Sequence, residues 1–344
     1  MLKNDFTLSA NDQAKLDAAK EWFRNAGYGM MIHWGLYALP AGEWKGERMK
    51  QKYIGEWIQQ YFRIPNAEYS RLAAAFNPIC FNAEEWVKTA KDAGMKYMVF
   101  TSKHHDGFAM FHSKVSKYNI VDATPFGRDV VGELAEACYK HGIKLGLYYS
   151  QDLDWNHPDG GGYLAGKTWS GGYAWWTNNW DFPDKEAKDY SRCFEEKIKP
   201  QVKEILTNYG DLCLIWFDTP KTISPAQTDE LYRMVKTYQP GCLVNSRIGN
   251  GYGDYTSAGD NEMPKEGQDI RLFETPATLN DTWGYKVSDT NWKSPQEVVR
   301  LRKLCRDRGA NYLLNVGPDY LGRIPAVSCD ILREAGSIWD NDVK

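Results

Sequence analysis

The sequence predicts an α/β protein built as a (β/α)8-type, TIM-like barrel with some irregularity. Strand-like and helix-like segments alternate along the 344 residues, a pattern typical of a parallel sheet flanked by helices. The strand-like segments are short apolar runs of the kind that is buried on both faces. Several of them end in polar residues, and the carboxyl ends of parallel strands are where such folds bind ligands. An open, doubly wound sheet is the alternative.

Helices are predicted where apolar residues recur with a helical period. Ser9 or Asn11 is the expected N-cap of the first helix and Gly27 its end, while a later helix should bend or break at Pro200. The predicted helices cover residues 11–25, 66–75, 82–94, 128–142, 186–210, 224–240 and 294–309, and a final helix closes the chain.

Strands are predicted from the apolar runs between these helices. They cover residues 28–35, 97–100, 143–155, 211–218, 242–247, 269–275, 282–285 and 311–318. Helix spacing is irregular around residues 250–290, so an imperfect barrel is expected there. No linker of changed composition divides the chain, and residues 1–344 are therefore expected to form a single catalytic barrel domain.

Two of the predicted strands end in similar sequences. The run 97–100 leads into Lys103, His104 and His105, and the run 28–35 closes on a histidine, His33, followed by Trp and Gly. A lone histidine at a strand end is more often a structural residue. Two adjacent ones after a buried strand favour a binding or catalytic site.

Three loops are further candidate parts of the functional site. The segment 156–183 and the segment 249–268 are long and polar without periodicity, and loops of that length in a compact domain are usually functional. The connection after the first strand carries the tripeptide Gly-Glu-Trp twice, at 42–44 and at 55–57.

Composition narrows the range of partners. A net charge of −3 and a pI near 6.1 give no electrostatic case for binding nucleic acid or an anionic membrane. Fourteen Trp and 21 Tyr exceed what a core requires, and exposed aromatic faces suit sugars or flat ligands.

The cysteines and the hydropathy of the sequence indicate the cellular compartment in which the protein is expected. The seven cysteines are scattered, odd in number, and spaced neither as a zinc site nor as a CxxC redox pair. This argues for free thiols in a reducing environment. The N-terminus lacks an apolar signal region and no window of 18 apolar residues occurs, so a cytoplasmic location is expected.

Two chemistries compete for the residues at the strand ends, which are His33, His104, His105, Tyr149, Asp218, Arg247 and Glu274, with Asp260 and Glu262 on a neighbouring loop. Metal-assisted hydrolysis would need several histidines on one ion. Adjacent His104 and His105 on extended backbone would point to opposite sides, however, so neither a metal nor another cofactor is expected. Nucleotide-phosphate motifs do not occur either.

Glycoside hydrolysis by two carboxylates fits the same residues better. Asp218 follows an apolar strand and is flanked by Trp216 and Phe217, which would place its carboxylate rigidly and partly remove it from water, as a nucleophile requires. The imidazoles and Arg247 would then bind sugar hydroxyls. Taken singly, an Asp at a strand end is as often a helix N-cap as a catalyst.

The sequence also resembles the α-L-fucosidases of glycoside hydrolase family 29. The segments MMIHWGLYALPAGEW, KYMVFTSKHHDGFAMFHSKVSKYN, DVVGELAEACYKHGIKLGLYYS, IWFD and NYLLNVGP carry this resemblance, which spans about residues 22–325. The greatest likeness is to single-domain intracellular bacterial members active on α-1,6-linked fucose, which have similar GLYYSQDLDW, WDFPD and GDNE segments. Most members add a C-terminal β-sandwich domain, and none is expected here.

The resemblance implies a retaining α-L-fucosidase that releases terminal α-L-fucose and can also transfer it, and the linkage it implies is α-1,6 to GlcNAc. Asp218 matches the family's nucleophile. The implied substrate-binding residues are His33, His104, His105, Tyr149, Trp216 and Arg247, a Glu-Trp pair that is either Glu43 and Trp44 or Glu56 and Trp57, and in addition Asn261 and Trp283.

The acid/base varies in position across the family and is not settled by the resemblance. Asp260 is the first choice, because the GDNE segment lies on a loop that could reach a leaving-group oxygen, and Glu262 and Glu274 are the alternatives. Other readings are a different metal-free retaining glycosidase on the same barrel, or a fucose-binding protein without catalysis. The expected partner is a fucosylated oligosaccharide or glycoconjugate, with no nucleic acid or membrane, and a homo-oligomer is an expectation from relatives.

Overall fold

A computed structural model of the chain describes residues 2–3, 6–164, 176–267 and 272–342. Within those residues, eight strands form one parallel sheet that curls into the predicted barrel. We number them β1 to β8 in chain order: Tyr28–Ile32, Tyr97–Lys103, Lys144–Tyr149, Leu214–Phe217, Leu243–Val244, Thr256–Ser257, Phe273–Thr278 and Asn311–Val316. A small antiparallel hairpin pairs Glu43–Trp44 with Glu47–Arg48.

Helices surround the sheet, and the first begins and ends as predicted, with Ser9 accepting a hydrogen bond from the Asp12 N–H and with Gly27 at its end. The α-helices cover Ala10–Ala26, Ile58–Tyr61, Asn66–Tyr69, Leu72–Ala75, Ala83–Asp92, Val130–His141, Tyr190–Cys193, Lys199–Asn208, Pro225–Tyr238, Pro295–Asp307 and Ala326–Asp342. None of these described helices is long and apolar enough to cross a membrane.

The sheet runs in the order β5-β4-β3-β2-β1-β8-β7-β6, and each neighbouring pair is parallel. The two edge strands, β5 and β6, are only two residues long. They meet through one parallel bridge, between Asn245 and Tyr255, which brings the ends of the sheet together. The barrel is therefore irregular between β5 and β6, and β6 lies inside the region 250–290 where irregularity was predicted.

Alternation along the strands divides the core into two layers. Tyr97, Val99, Leu214 and Trp216 pack together inside the barrel, and the residues between them pack outward against the helices. Gly29 in β1 is needed for this arrangement, because a Cβ there would lie 2.5 Å from the Tyr97 ring.

In the irregular region, one strand prediction was wrong and one strand was not predicted. Residues 282–285 form no strand: the Gly284 N–H bonds the Glu56 side chain and the Thr282 hydroxyl accepts from the Gly55 N–H, so this segment pairs with a loop. Strand β6 was not predicted, because its two residues are too short to show a period.

Other boundaries shifted. The predicted helix 186–210 consists of two α-helices joined by the π-helical turn Phe194–Ile198, with Pro200 in the first turn of the second. The predicted helix 66–75 is two separate turns. Strand β5 stops before Arg247, which lies in the 3-10 turn Ser246–Ile248. Strand β7 begins later than the predicted strand 269–275, whose first residues fall outside the described ranges.

Candidate active site

A pocket of about 390 Å³ lies at the carboxyl ends of the strands. Residues directly after three strands reach it, namely His33 after β1, His104 after β2 and Asp218 after β4. The predicted site residues that line the pocket are His33, Glu56, Trp57, His104, His105, Trp216, Asp218, Arg247, Asp260 and Trp283. The predicted site residues that do not line it are Glu43, Trp44, Tyr149, Asn261, Glu262 and Glu274.

Asp218 is held from three directions. Its Oδ1 lies 3.1 Å from Nη1 of Arg247, and its Oδ2 accepts a hydrogen bond from the Tyr148 hydroxyl at 3.0 Å. Nε2 of His105 lies 3.8 Å from the same Oδ2. The side chain is 14% exposed and lines the pocket, so the carboxylate is largely removed from water.

Asp218 stays ionised although its side chain is largely buried. Burial alone raises the pKa of a carboxyl, but the Arg247 guanidinium and the hydrogen bonds from Arg247 and Tyr148 together hold the pKa of Asp218 below its ordinary value. A desolvated carboxylate that stays ionised can act as a nucleophile, because little solvent has to be removed before it attacks.

Trp216 lies beside this ion pair, and a buried carboxyl orients it. The Arg247 guanidinium carbon sits 4.7 Å from the Trp216 ring centre, and the Tyr148 ring stacks on the same indole at 5.5 Å. Glu274 accepts the Trp216 indole N–H at 2.8 Å and the Tyr97 hydroxyl at 2.7 Å. Glu274 is fully buried near the start of β7 and does not itself line the pocket.

The three histidines are kept neutral. Burial lowers the pKa of His33 to about 4, that of His105 to about 3, and that of His104 well below its ordinary value. Nδ1 of His33 lies 2.7 Å from Oδ1 of Asn315, and Nδ1 of His105 lies 2.7 Å from Oγ of Ser150. These contacts fix the ring orientations.

His104 and His105 both face the pocket, so the prediction that they point to opposite sides was wrong. Their ring centres are 4.1 Å apart. Strand β2 ends at Lys103, and a turn follows, so the alternation of an extended chain no longer applies there. Within the described ranges, no group of three or more His, Cys, Asp or Glu residues could hold a metal ion.

The two Gly-Glu-Trp tripeptides differ in position. The second brings Glu56 and Trp57 to the pocket, whereas Glu43 binds Arg48 across the hairpin, with Trp44 beside it. Glu56 is buried, and burial raises its pKa to about 8 although its Oε2 accepts the Gly284 N–H at 2.7 Å. A neutral Glu56 can donate a hydrogen bond to a ligand.

Of the candidates on the GDNE loop, only Asp260 lines the pocket. Its Oδ1 lies 2.6 Å from Nη2 of Arg247, and its side chain is 50% exposed. Asn261 instead ties the loop to β7, because its Oδ1 accepts the Thr278 N–H at 2.9 Å. Glu262 is 54% exposed and lies near Lys265.

Tyr149 was assigned to the wrong face of its strand. It packs outward, where its hydroxyl donates to Gln201 at 2.9 Å, and the pocket residue is Tyr148. An error of one residue in the phase of a strand moves a side chain to the opposite face. The inward alternation of β3, with Tyr148 on the same face as Gly146, was the signal that could have identified it.

Sequence reasoning also missed part of the pocket wall, namely Met31, Ile54, Tyr61, Trp176, Thr219, Pro220 and Lys221. The Lys221 ammonium lies over the Trp176 ring at 4.6 Å. Trp176 belongs to the loop 156–183 that was predicted to be functional, of which residues 165–175 lie outside the described ranges. Thr219, Pro220 and Lys221 follow the predicted nucleophile in sequence, and that proximity was the available signal.

The buried carboxyl of Glu274 makes stability depend on pH. Burial raises its pKa to about 7, so between about pH 4.3 and about pH 7 the unfolded chain releases a proton that the folded chain keeps. Stability from this group is therefore lost as pH rises through that window. In urea unfolding, we expect Glu274→Gln to gain about 3 kcal/mol relative to wild type between about pH 5 and about pH 8.

The exposed Glu262→Gln variant is the control, and its unfolding free energy should follow the wild-type pH dependence. Parallel pH profiles for wild type and Glu274→Gln would contradict the assignment.

Comparisons with known proteins identify the family of the chain. Residues 3–341 match the family model described as alpha-L-fucosidase. Alpha-L-fucosidase AlfC from Lactobacillus casei, solved with alpha-L-fucose product, is 53% identical with a TM-score of 0.89, over 94% of this chain and 99% of that chain. An alpha-L-fucosidase from Vibrio sp. strain EJY3 is 36% identical with a TM-score of 0.85, over 97% of this chain and 56% of that one.

Curated relatives extend the likeness to animals. Human tissue alpha-L-fucosidase is 30% identical over 335 residues, which cover 92% of this chain and 66% of the human protein. The rat protein is 28% identical, with 92% and 67% covered. The chain thus spans about two thirds of the length of the curated relatives it matches. Taken together with the family match over residues 3–341, this places the chain in the alpha-L-fucosidase family.

Proposed function

We propose that the protein is a retaining α-L-fucosidase that hydrolyses terminal α-L-fucosyl groups. The observation that carries this proposal is the Asp218 carboxylate, which stays ionised inside a pocket through its contacts with Arg247 and Tyr148. In the first step Asp218 attacks the anomeric carbon, displaces the aglycone and forms a covalent fucosyl-enzyme. Water then releases fucose in the second step.

The remaining pocket residues bind and orient the sugar. Neutral His33 and His105 can exchange hydrogen bonds with hydroxyl groups, and protonated Glu56 can donate one. His104 also lines the pocket, and its buried Nδ1 has no hydrogen-bond partner among the described residues. Trp57 and Trp283 line the pocket with flat faces that suit sugar C–H surfaces.

Asp260 is the proposed acid/base. It lines the pocket, and one Arg247 guanidinium contacts both Asp260 and Asp218. Retaining glycosidases hold their two carboxyl groups about 5 Å apart, a separation that one bridging guanidinium can span. The burial of Glu274 and the position of Glu262 outside the pocket favour Asp260 over both.

The proposed substrate is α-1,6-linked fucose on GlcNAc within an oligosaccharide or glycoconjugate. A substituted form of the Lactobacillus casei enzyme, 52% identical to this chain, was solved with Fuca(1,6)GlcNAc. Other substituted forms of that enzyme are described as fucosyltransferase mutants, which supports transfer as a second outcome of the same intermediate.

We propose a reducing, cytoplasmic location and a single catalytic unit for the chain. All seven cysteines are free thiols, as expected where thiols stay reduced. A homo-oligomer, and the lack of nucleic-acid and membrane partners, stay predictions.

Replacing the nucleophile tests the proposed function directly. We expect wild type to release nitrophenol from an aryl α-L-fucoside and Asp218→Ala to lose at least about a thousandfold in kcat, because the attacking group is gone. Azide should restore part of the activity and yield β-fucosyl azide. An Asp218→Ala variant that keeps more than about a tenth of wild-type kcat would refute the nucleophile. Wild type that binds fucose without releasing nitrophenol would instead be a binding protein.

Leaving-group chemistry tests the acid/base. A retaining enzyme needs its acid to protonate the aglycone oxygen and then needs the same group as base. In Asp260→Ala, the intermediate should form from an activated aryl fucoside almost as fast as in wild type. Cleavage of a fucosyl disaccharide should slow by at least about a hundredfold. Added azide should yield α-fucosyl azide.

The control for this test is Glu262→Ala, which removes a carboxylate two residues away outside the pocket and should leave both rates unchanged. The assignment of Asp260 is wrong if Glu56→Gln or Glu262→Ala shows this combination of rates and azide product and Asp260→Ala does not.

A further inference from the structure

Gln151 lies in the loop after β3 and is fully buried. Its Oε1 accepts the backbone N–H of Asp218 at 2.8 Å. Its Nε2 donates to the backbone oxygens of Arg247 at 3.1 Å and of Ile248 at 3.4 Å. One carboxamide thus connects the main chains that carry the carboxylate and the guanidinium of the ion pair, without lining the pocket itself.

This connection matters because the β4–β5 ladder ends early. The two strands pair only at Leu214 with Leu243 and at Ile215 with Val244, whereas Asp218 and Arg247 lie three residues further on. Asn245 continues the pairing with its side chain, since its amide bonds both the N–H and the C=O of Phe217, at 3.0 and 2.9 Å. Gln151 makes the next connection.

The segment after Asp218 also depends on this loop. Thr219 has a φ of 54°, a left-handed conformation that is strained for a β-branched residue. Oδ2 of Asp152 accepts the three consecutive N–H groups of 221, 222 and 223 at 2.9, 2.7 and 2.8 Å. Gln151 and Asp152 therefore hold the two ends of the segment 218–223.

We propose that Gln151 is a positioning residue that sets the distance between the Asp218 carboxylate and the Arg247 guanidinium. This inference rests on the proposed function. The ion pair joins side chains from different strands beyond the end of their ladder, so their main chains need a separate connection, and the Gln151 amide supplies it. Active-site groups must be held within about 0.5 Å of their productive position, and a loosened connection would exceed that tolerance.

Loosening the connection has two measurable consequences. The carboxylate is misplaced for attack, which lowers the rate of the first step on activated and natural substrates alike. Arg247 also holds the pKa of Asp218 low, so a weaker ion pair raises that pKa. The acid limb of the kcat/KM profile then moves to higher pH. A residue that merely stabilises the fold would leave the limb in place.

Gln151→Met tests this, because it keeps the size of the side chain and removes its three hydrogen bonds. We expect kcat/KM on an aryl α-L-fucoside to fall by about ten- to hundredfold, with the acid limb moved to higher pH. Gln239→Met is the matched control. The Gln239 amide accepts the Leu212 N–H and donates to the Leu206 and Gly210 oxygens, at 2.8, 2.7 and 2.8 Å, at the amino-terminal end of β4. Its kcat/KM and pH profile should match wild type.

Gln151→Glu provides a second readout that holds even if Gln151→Met does not fold. While protonated, the introduced carboxyl can accept the Asp218 N–H and donate to one backbone oxygen, as the amide does. Once ionised, it repels both backbone oxygens and the Asp218 carboxylate. Activity relative to wild type should therefore be highest at low pH and fall as pH rises.

The outcomes separate the two proposals. Wild type without activity on the aryl fucoside refutes the proposed function. If wild type is active, two results refute the positioning role. One is a kcat/KM of Gln151→Met within about twofold of wild type, and the other is an acid limb that stays at the wild-type pH. A Gln151→Glu to wild-type ratio that is constant with pH refutes it as well.

Discussion

The ion pair between Asp218 and Arg247, at 3.1 Å inside a largely buried pocket, is the interaction on which the site depends. A carboxylate removed from water would otherwise take up a proton, and a neutral carboxyl is no nucleophile. The histidines beside it are neutral because burial lowers their pKa values, so they add little positive charge of their own. Arg247 is thus the main source of the positive potential that keeps Asp218 ionised, and it also contacts Asp260.

The barrel places this pair at its least regular point. Arg247 and Asp260 come from the chain around β5 and β6, where the sheet closes through one bridge between Asn245 and Tyr255. Arg247 lies in the turn Ser246–Ile248 that follows the short strand β5, and from this turn it contacts Asp218. The lost backbone ladder is replaced by amide side chains, those of Asn245 and Gln151. Rigidity at the site therefore comes from buried hydrogen bonds beyond the sheet.

Strong apolar runs made the fold class predictable, and polar residues directly after such runs, His33 and Asp218, reached the pocket as predicted. Features set by tertiary packing were not predictable. The choice between Tyr148 and Tyr149 depends on the phase of β3, and the shared direction of His104 and His105 depends on where β2 ends. Two identical Gly-Glu-Trp tripeptides carry no local signal for which one lies against the residues around Gly284. Glu274 looked like a strand-end residue only because the start of β7 was placed too early.

The central claim is that Asp218 becomes covalently bonded to the sugar, and trapping that bond tests it most directly. With a 2-deoxy-2-fluoro-α-L-fucosyl fluoride, the fluorine at C2 slows both the formation and the hydrolysis of the intermediate. The reactive anomeric fluoride restores the rate of formation alone, so the intermediate accumulates. Mass spectrometry of the digested protein should then find one added fluorofucosyl group on the peptide that contains Asp218. An adduct on any other carboxylate, or release of β-L-fucose as the first product from an α-L-fucoside, would contradict the claim.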